Sequence, residues 1–395
     1  MMQLLSTLLL ASGLATATPL NIPNFAQAAI DSGLALKGLN ALATLSALTR
    51  SGGTCTQNKI KYRREWRTLT KPDRRKFIAA VKCLQGKPSV LPKDGTVPGA
   101  ITLWDDLAYA HAWRTFFVHM SATFLVWHRY FLFTYESLLE TECGWTQGLP
   151  YWEWGLDEHD MRGSPLFDGS DTSIGSDGVF IPGRPDFILD IFGGPDPEPV
   201  RVVFPPGTGG GCIERGPFSD TVVRIGPFPL DGTPWTNETG YGNNPRCLDR
   251  DLNTNPIKRW STFRNSTELI LNYDNIREFQ GFLEGDPRVT TEKPIGIHGG
   301  GHWAVGGITR DPIISPYDPA FYFHHNQLDR IYWIWQNLDF DNRKDVFGTG
   351  TWGNFPPSPN VTVEDFIDVL PHKPAIKIKD SMNTVSGAPF CYVYV

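Results

Sequence analysis

The chain has no dense run of lysine or arginine: basic residues gather only between Lys59 and Arg67, and the formal net charge is −6. That balance argues against nucleic acid or an anionic membrane as a partner. None of the six cysteines stands in a Cys-x-x-Cys spacing, so a thiolate metal site is disfavoured. Beyond the N-terminus no stretch is long and apolar enough to span a bilayer. There is no internal repeat, and no low-complexity segment apart from the short run Gly207–Gly211. With 395 residues the chain has material for one large core or two modest ones.

Residues Met1–Ala17 have the pattern of a secretory signal, an apolar run from Leu4 to Leu14 followed by Ala15-Thr16-Ala17, although the n-region lacks a basic residue. The expectation is a secreted, extracellular protein. Residues 18–50 are rich in Ala and Leu and read either as a helical prosegment or as an N-terminal helix kept on the surface. In an oxidising compartment the six cysteines should pair, with fifteen connectivities open. Three sequons, at Asn237, Asn265 and Asn360, agree with a secreted surface.

The text is mostly helical from Tyr62 to about Glu158. Thr70 should cap a helix with Pro72 in its first turn and Phe77, Ile78, Val81 and Leu84 on its inner face. Further helices are expected around Trp104–Phe117, over Trp127–Leu139, Thr262–Leu283 and Pro319–Leu338. The stretch from about 163 to 260 should be a loop-rich excursion with few strands, and the tail from Val361 should alternate as short strands do.

Nine histidines are present, and six of them sort into two triplets, His111/His119/His128 and His298/His302/His325. Two sets of neutral imidazoles suit a pair of first-row transition ions, copper above all, each with an open face for a small ligand. His119 and His128 would lie on opposite faces of one straight helix, so a loop must intervene, and Ser121-Ala-Thr is where it should fall. His298 and His302 stand at i and i+4 and can face one ion. The three glycines between them each cost a helix about 1 kcal/mol against alanine, which implies a close approach of backbone or substrate. Asp318 can cap the last helix with Pro319 in its first position. There only one of the adjacent His324 and His325 can face the metal.

His119-x4-Phe124-Leu-Val-Trp127-His128-Arg129-x2-Leu132-x3-Glu136 and Asp318-Pro-Ala-Phe321-Tyr-Phe-His324-His325-Asn-Gln-Leu-Asp329 resemble both signatures of the tyrosinase, catechol oxidase and hemocyanin family. Arg64-Glu-Trp66, Pro150-Tyr-Trp-Glu-Trp154 and Val305-Gly-Gly307 add to the resemblance, which covers roughly residues 55–395. It implies a mainly α fold over 51–395: a four-helix-bundle dicopper core with long loop-rich insertions and short β-strands near the C-terminus. It implies copper A on His111, His119 and His128, and copper B on His298, His302 and His325. His324 would then stand behind the ligands, and Asp329 would help to orient the site. His159 and His372 match no ligand position. The implied activity is oxidation of small phenolic substrates by O2, held as bridging peroxide, with o-diphenols becoming o-quinones.

The chain is similar to the short, secreted fungal members, and its Tyr392-Val-Tyr394 resembles the element that ends their catalytic core, so no C-terminal lid domain is expected. Two departures stand out. Phe117 occupies a position where some relatives place a cysteine that crosslinks to a ligand histidine. Gly299 replaces an asparagine that in the family orients a water for deprotonating monophenols. Glu284, with Glu292 as the rival, is the expected acid beside that water, and Trp303 should narrow the entrance or pack in the core. The readings that remain are a catechol oxidase, a full tyrosinase, an oxidase of an o-aminophenol or secondary-metabolite phenol, and, less favoured, an O2 carrier. Turnover of catechol in air separates carrier from oxidase. From their places along the chain, Cys55 should join Cys391, Cys83 should join Cys143, and Cys212 should join Cys247. Closing the two shorter loops, of about 35–60 residues, should contribute roughly 3–4 kcal/mol each by chain entropy.

Overall fold

The computed structural model describes residues 22–194, 198–229, 234–236 and 238–395. The expected signal and the Asn237 sequon lie outside them. Among the described residues, ten α-helices carry the core: α1 (Gln27–Asp31), α2 (Leu34–Leu48), α3 (Lys71–Gly86), α4 (Leu103–Val118), α5 (Phe124–Cys143), α6 (Thr254–Trp260), α7 (Phe263–Asn272), α8 (Ile276–Glu284), α9 (Gly296–Val305) and α10 (Pro319–Leu338). None is long and apolar enough to cross a membrane.

The helix starts obey local chemistry. The Thr70 side chain accepts a hydrogen bond from the Asp73 amide, and Thr102 with Asp105 forms a reciprocal capping box on α4. Asp318 caps α10 through the Ala320 amide, with Pro319 at the first position. Every residue of α10 is buried, its polar side chains satisfied by internal partners such as Glu153 for Gln327 and Arg330, and α5 is buried on most sides. α4, α5, α9 and α10 pack as the central bundle, with α3 against α4 and α5.

The expected helix over Thr262–Leu283 is two helices. It breaks at Tyr273–Asn275, where Asn275 accepts the Glu278 amide and starts α8 afresh. The middle segment holds more strand than expected, in three short antiparallel pairs: Gly178–Phe180 with Gly210–Ile213, Phe187–Ile191 with Val200–Phe204, and Val222–Val223 with Arg246–Cys247. Phe-Ile-Leu-Asp-Ile and Val-Arg-Val-Val-Phe are strand-forming texts whose partners are hidden by the Gly- and Pro-rich spacer between them. Near the C-terminus Phe366–Val369 pairs with Lys373–Lys377, and Tyr392–Tyr394 runs parallel to Lys61–Arg63.

The disulfides join Cys55 to Cys391, Cys83 to Cys143 and Cys212 to Cys247, as their positions suggest. Helix α2 is docked on the core: Ala35, Leu36, Leu39, Ala43 and Ala47 form its buried face against α10. Its Asn40 side chain donates to the Tyr394 carbonyl (3.0 Å) and accepts from Arg330 Nε (2.8 Å). The basic patch at Lys59–Arg67 is partly internal, because Arg63 is fully buried between Glu136 and Asp329.

Candidate metal centre

Helix α4 supplies His111 and ends at Val118, so His119 is its cap; the chain turns through Ser121–Thr123, and α5 supplies His128. The loop required by the nine-residue spacing is therefore present. Met120 adopts a left-handed φ of 45°, and its amide donates to Glu284 Oε1 (2.8 Å), which ties this loop to α8. Helix α9 supplies His298 and His302, and α10 supplies His324 and His325.

In four of the six expected ligands Nδ1 is held by a backbone carbonyl: His111 by Ile313 (2.8 Å), His119 by Thr115 (2.9 Å), His128 by Phe124 (2.8 Å) and His302 by Thr309 (2.6 Å). A ring that donates from Nδ1 leaves the Nε2 lone pair free for a metal. His302 Nε2 lies 3.1 Å from Nε2 of both His298 and His325. Nε2 of His111 and of His128 is buried with no hydrogen-bond partner. The His111, His119 and His128 nitrogens lie within 4.8 Å of one another, and so do those of the second group. The groups adjoin, since the His128 and His325 rings stack at 4.5 Å.

Burial is the main cause that lowers the pKa of all seven of these histidines; His119 falls to about 4 and His302 to about 3. The site is thus preset in the neutral form that a metal needs. The converging imidazole nitrogens of the two groups, half-buried at His298 and His302 and buried elsewhere, fit two transition ions. No carboxylate stands among them.

The glycines of α9 answer to neighbouring protein. A Cβ on Gly301 would lie 2.2 Å from His324 Nδ1, and one on Gly300 would lie 2.2 Å from Ser261 Oγ. Gly299, where an added Cβ would lie 2.8 Å from Ile295 Cβ, also lines a cavity of about 1020 Å³ that has His298 in its wall. Glu284 and Trp303 line the same cavity. The Glu284 carboxyl is buried, and burial pushes its pKa well above the ordinary range, against the pull of the Met120 amide and the Gln280 side chain. Glu292 is exposed on the surface. Trp303 stacks on Phe204 at 3.8 Å, so it serves the packing of the 187–204 hairpin while facing the cavity.

Asp329 and His324 are placed otherwise than expected. Both Asp329 oxygens are taken by Arg63, Arg129, Tyr392 and Tyr394, none by a histidine, and His325 Nδ1 has no hydrogen-bond partner. The His325 ring is instead oriented by stacking between Phe321 (4.1 Å) and His128. His324 lies beside His302 (4.5 Å) and parallel to His298 (5.8 Å), inside the second group by distance. His159 is exposed, and His372 is buried near Asp106, both away from the centre. Sequence reasoning missed three aromatic residues. Phe124 lies 4.7 Å from both His128 and His298, bridging the groups, and Phe321 lies 5.2 Å from His111. Each precedes a histidine by four residues on the same helix, a legible signal. Trp352, 5.4 Å from His119 and in the cavity wall, comes from a Gly-rich loop that offered none.

Residues 101–338 match the family pattern described as the common central domain of tyrosinase. Tyrosinase P of Aspergillus terreus is 34% identical over 364 residues, covering 90% of this chain and 98% of that protein. The N-acetyl-6-hydroxytryptophan oxidase ivoB of Emericella nidulans is 32% identical, covering 86% and 93%. Among solved structures, a Gly-to-Asn mutant of polyphenol oxidase from Thermothelomyces thermophila is 32% identical, with a TM-score of 0.77 over 93% of this chain and 97% of that one. Two histidine groups on a four-helix core, matched along nearly the whole chain by such relatives, establish that this chain belongs to the tyrosinase family of copper oxidases.

Proposed function

We propose that the protein oxidises o-diphenols to o-quinones with O2, using one copper on His111, His119 and His128 and a second on His298, His302 and His325. The observation that carries this reading is the convergence of neutral Nε2 atoms, buried at His111 and His128 and meeting at 3.1 Å in the second group, next to a cavity large enough for an aromatic ring. When bound, the metal pair supplies the two-electron exchange between phenol and O2. Two diphenols give up four electrons and four protons to one O2, leaving two quinones and two waters.

The chain's own residues position and protect. Phe124 and Phe321 pack against imidazoles from both groups and keep water from their far sides. The substrate ring enters past Gly299, whose missing side chain leaves the way to His298 open. A diphenol needs only to lose electrons and protons to the centre, whereas a monophenol must shed its proton before it can bind. With no side-chain amide at 299, a water that could take this proton lacks a holder on that side of the cavity, and burial pushes the neighbouring Glu284 carboxyl up from its ordinary range.

Catechol turnover by the copper-loaded protein should therefore exceed phenol turnover by roughly a hundredfold, the scale of a missing general base. Gly299→Asn should raise phenol turnover several-fold. It should also lower stability by about 1–3 kcal/mol, because a Cβ at 299 would sit 2.8 Å from Ile295 Cβ. A panel of phenol, catechol and o-aminophenol is the test; equal rates on phenol and catechol, or no gain from Gly299→Asn, would refute the proposal. The o-aminophenol arm probes the second reading, an oxidase of a specialised metabolite, which the name of the Emericella nidulans relative favours.

A further inference from the structure

We infer that the substrate carries a second, flat apolar group next to its phenolic ring, bound on an aromatic shelf outside the metal centre. This rests on the oxidase reading above and adds the shape of the molecule. Alternate residues of a strand share a face, and in Phe187–Ile191 the set Phe187, Leu189 and Ile191 lines the cavity that reaches His298, together with Asp190 from the other face. On the same side Trp303 is held flat on Phe204 at 3.8 Å and 8°, with Phe187 4.9 Å from its ring and the Arg310 guanidinium over both Phe187 and Trp303. Beneath, Val202, Phe204, Trp260 and Ile295 form a small buried cluster of their own, so the shelf is rigid and belongs to α6 and α9 as much as to the hairpin. Phe192, at the strand's end, is 67% exposed and also lines the cavity. A single ring at His298 would leave most of about 1020 Å³ to water, whereas cavities of this size and lining hold larger ligands.

The wild-type enzyme should show kcat/KM for 4-benzylcatechol at least about tenfold above that for catechol, and Phe187→Ser should bring the ratio near one. A wild-type ratio near one, or a ratio that Phe187→Ser leaves in place, overturns the shelf. Calorimetric titration with 4-benzylresorcinol and resorcinol, neither of which can form an o-quinone, reads the shelf without turnover. At least about tenfold tighter binding of the benzyl compound, lost in Phe187→Ser, supports it. Equal dissociation constants overturn it. Absence of catechol turnover alongside that tighter binding would count against the oxidase reading alone.

A separate observation assigns a modification site: we propose that Asn360 carries an N-linked glycan and that Asn265 does not. Three disulfides place the chain in an oxidising compartment, where N-glycosylation also occurs. The transfer bonds sugar C1 to Asn Nδ2, breaks the C1–O bond of a lipid pyrophosphate-linked oligosaccharide, and releases one amide proton with the lipid pyrophosphate. A modified asparagine keeps a single N–H. Asn265 needs both, donating to the Arg259 carbonyl (3.1 Å) and the Trp260 carbonyl (2.9 Å) at the end of α6. Its Thr267 is fully buried and donates to the Phe263 carbonyl. Asn360 is exposed, and so is Thr362. Asn360 borders two grooves that contain Phe347 and Phe366, which are 54% and 64% exposed and offer ring faces to the first sugars.

The full chain, secreted from a filamentous fungus behind a host leader, should be mapped by mass spectrometry with and without peptide-N-glycosidase. The Asn360 peptide should shift and the Asn265 peptide should not, and Asn360→Gln should abolish the first signal. A glycan on Asn265 in the folded, copper-binding protein, or an unmodified Asn360, overturns the assignment.

Discussion

His325→Ala is expected to bind about one copper where the wild type binds two, and to lose nearly all oxidase activity. His324→Ala should keep both metals. The two neighbours differ in where their nitrogens point: His325 Nε2 approaches His302 Nε2 to 3.1 Å, as His298 Nε2 does, and these three define one converging set. The His324 ring lies flat along His298 and against Trp154, with its Nδ1 toward the backbone at Gly301. Adjacent helical residues diverge by about 100°, so a metal seated among the other three nitrogens is out of line for His324. Metal analysis of the purified variants decides between them, and loss of copper from His324→Ala with retention by His325→Ala would reverse the assignment. On the proposed reaction the electrons of a diphenol would need metals held by both histidine groups, so the fall in rate should be far larger than the fall in metal content.

Much of this centre could be read from the chain because its parts are local. The i, i+4 pair on α9, the cap and proline before α10, and the impossibility of placing His119 and His128 on one straight helix are consequences of helical geometry alone. The family signatures brought the two triplets together, which spacing could not do, since 170 residues separate His128 from His298. What escaped was what depends on distant partners. Nothing near Trp352 marks it as a wall of the cavity, and the pairing of Phe187–Ile191 with Val200–Phe204 is obscured by the intervening glycines and prolines. The glycines of α9 suggested close approach, but whether of substrate or of protein depended on Ser261 and His324 being there. Asp329 is the most instructive case. One turn from a ligand, it invited a role at the metal, yet two buried arginines from Lys61–Arg63 and α5 claim it first.

Asp329→Ala should accordingly destabilise the metal-free protein by roughly 3–5 kcal/mol, the usual cost of breaking a buried ion pair from one side. Asp329 Oδ1 accepts from Arg129 Nε at 2.6 Å, and Oδ2 accepts from Tyr392 and Tyr394 hydroxyls at 2.6 Å each and from Arg63 at 3.2 Å. Burial alone would raise this carboxyl, but the two guanidinium groups overcome it and hold the group below the ordinary carboxylate range. Glu136 is the other anion in contact with Arg63. Without Asp329, the fully buried Arg129 has no carboxylate in contact and Arg63 keeps Glu136 alone, and the Tyr392 hydroxyl loses its acceptor, while Tyr394 still donates to Asn326. The damage reaches the fold's closure, because Tyr392–Tyr394 pairs with Lys61–Arg63 next to the Cys55–Cys391 bridge. Comparing metal-free forms is necessary, since bound copper would add stability to the native state by mass action. Tyr392→Phe, which removes one hydroxyl and no charge, should lose only about 1 kcal/mol. If denaturant unfolding places Asp329→Ala no lower than Tyr392→Phe, the carboxylate is not the keystone of this cluster.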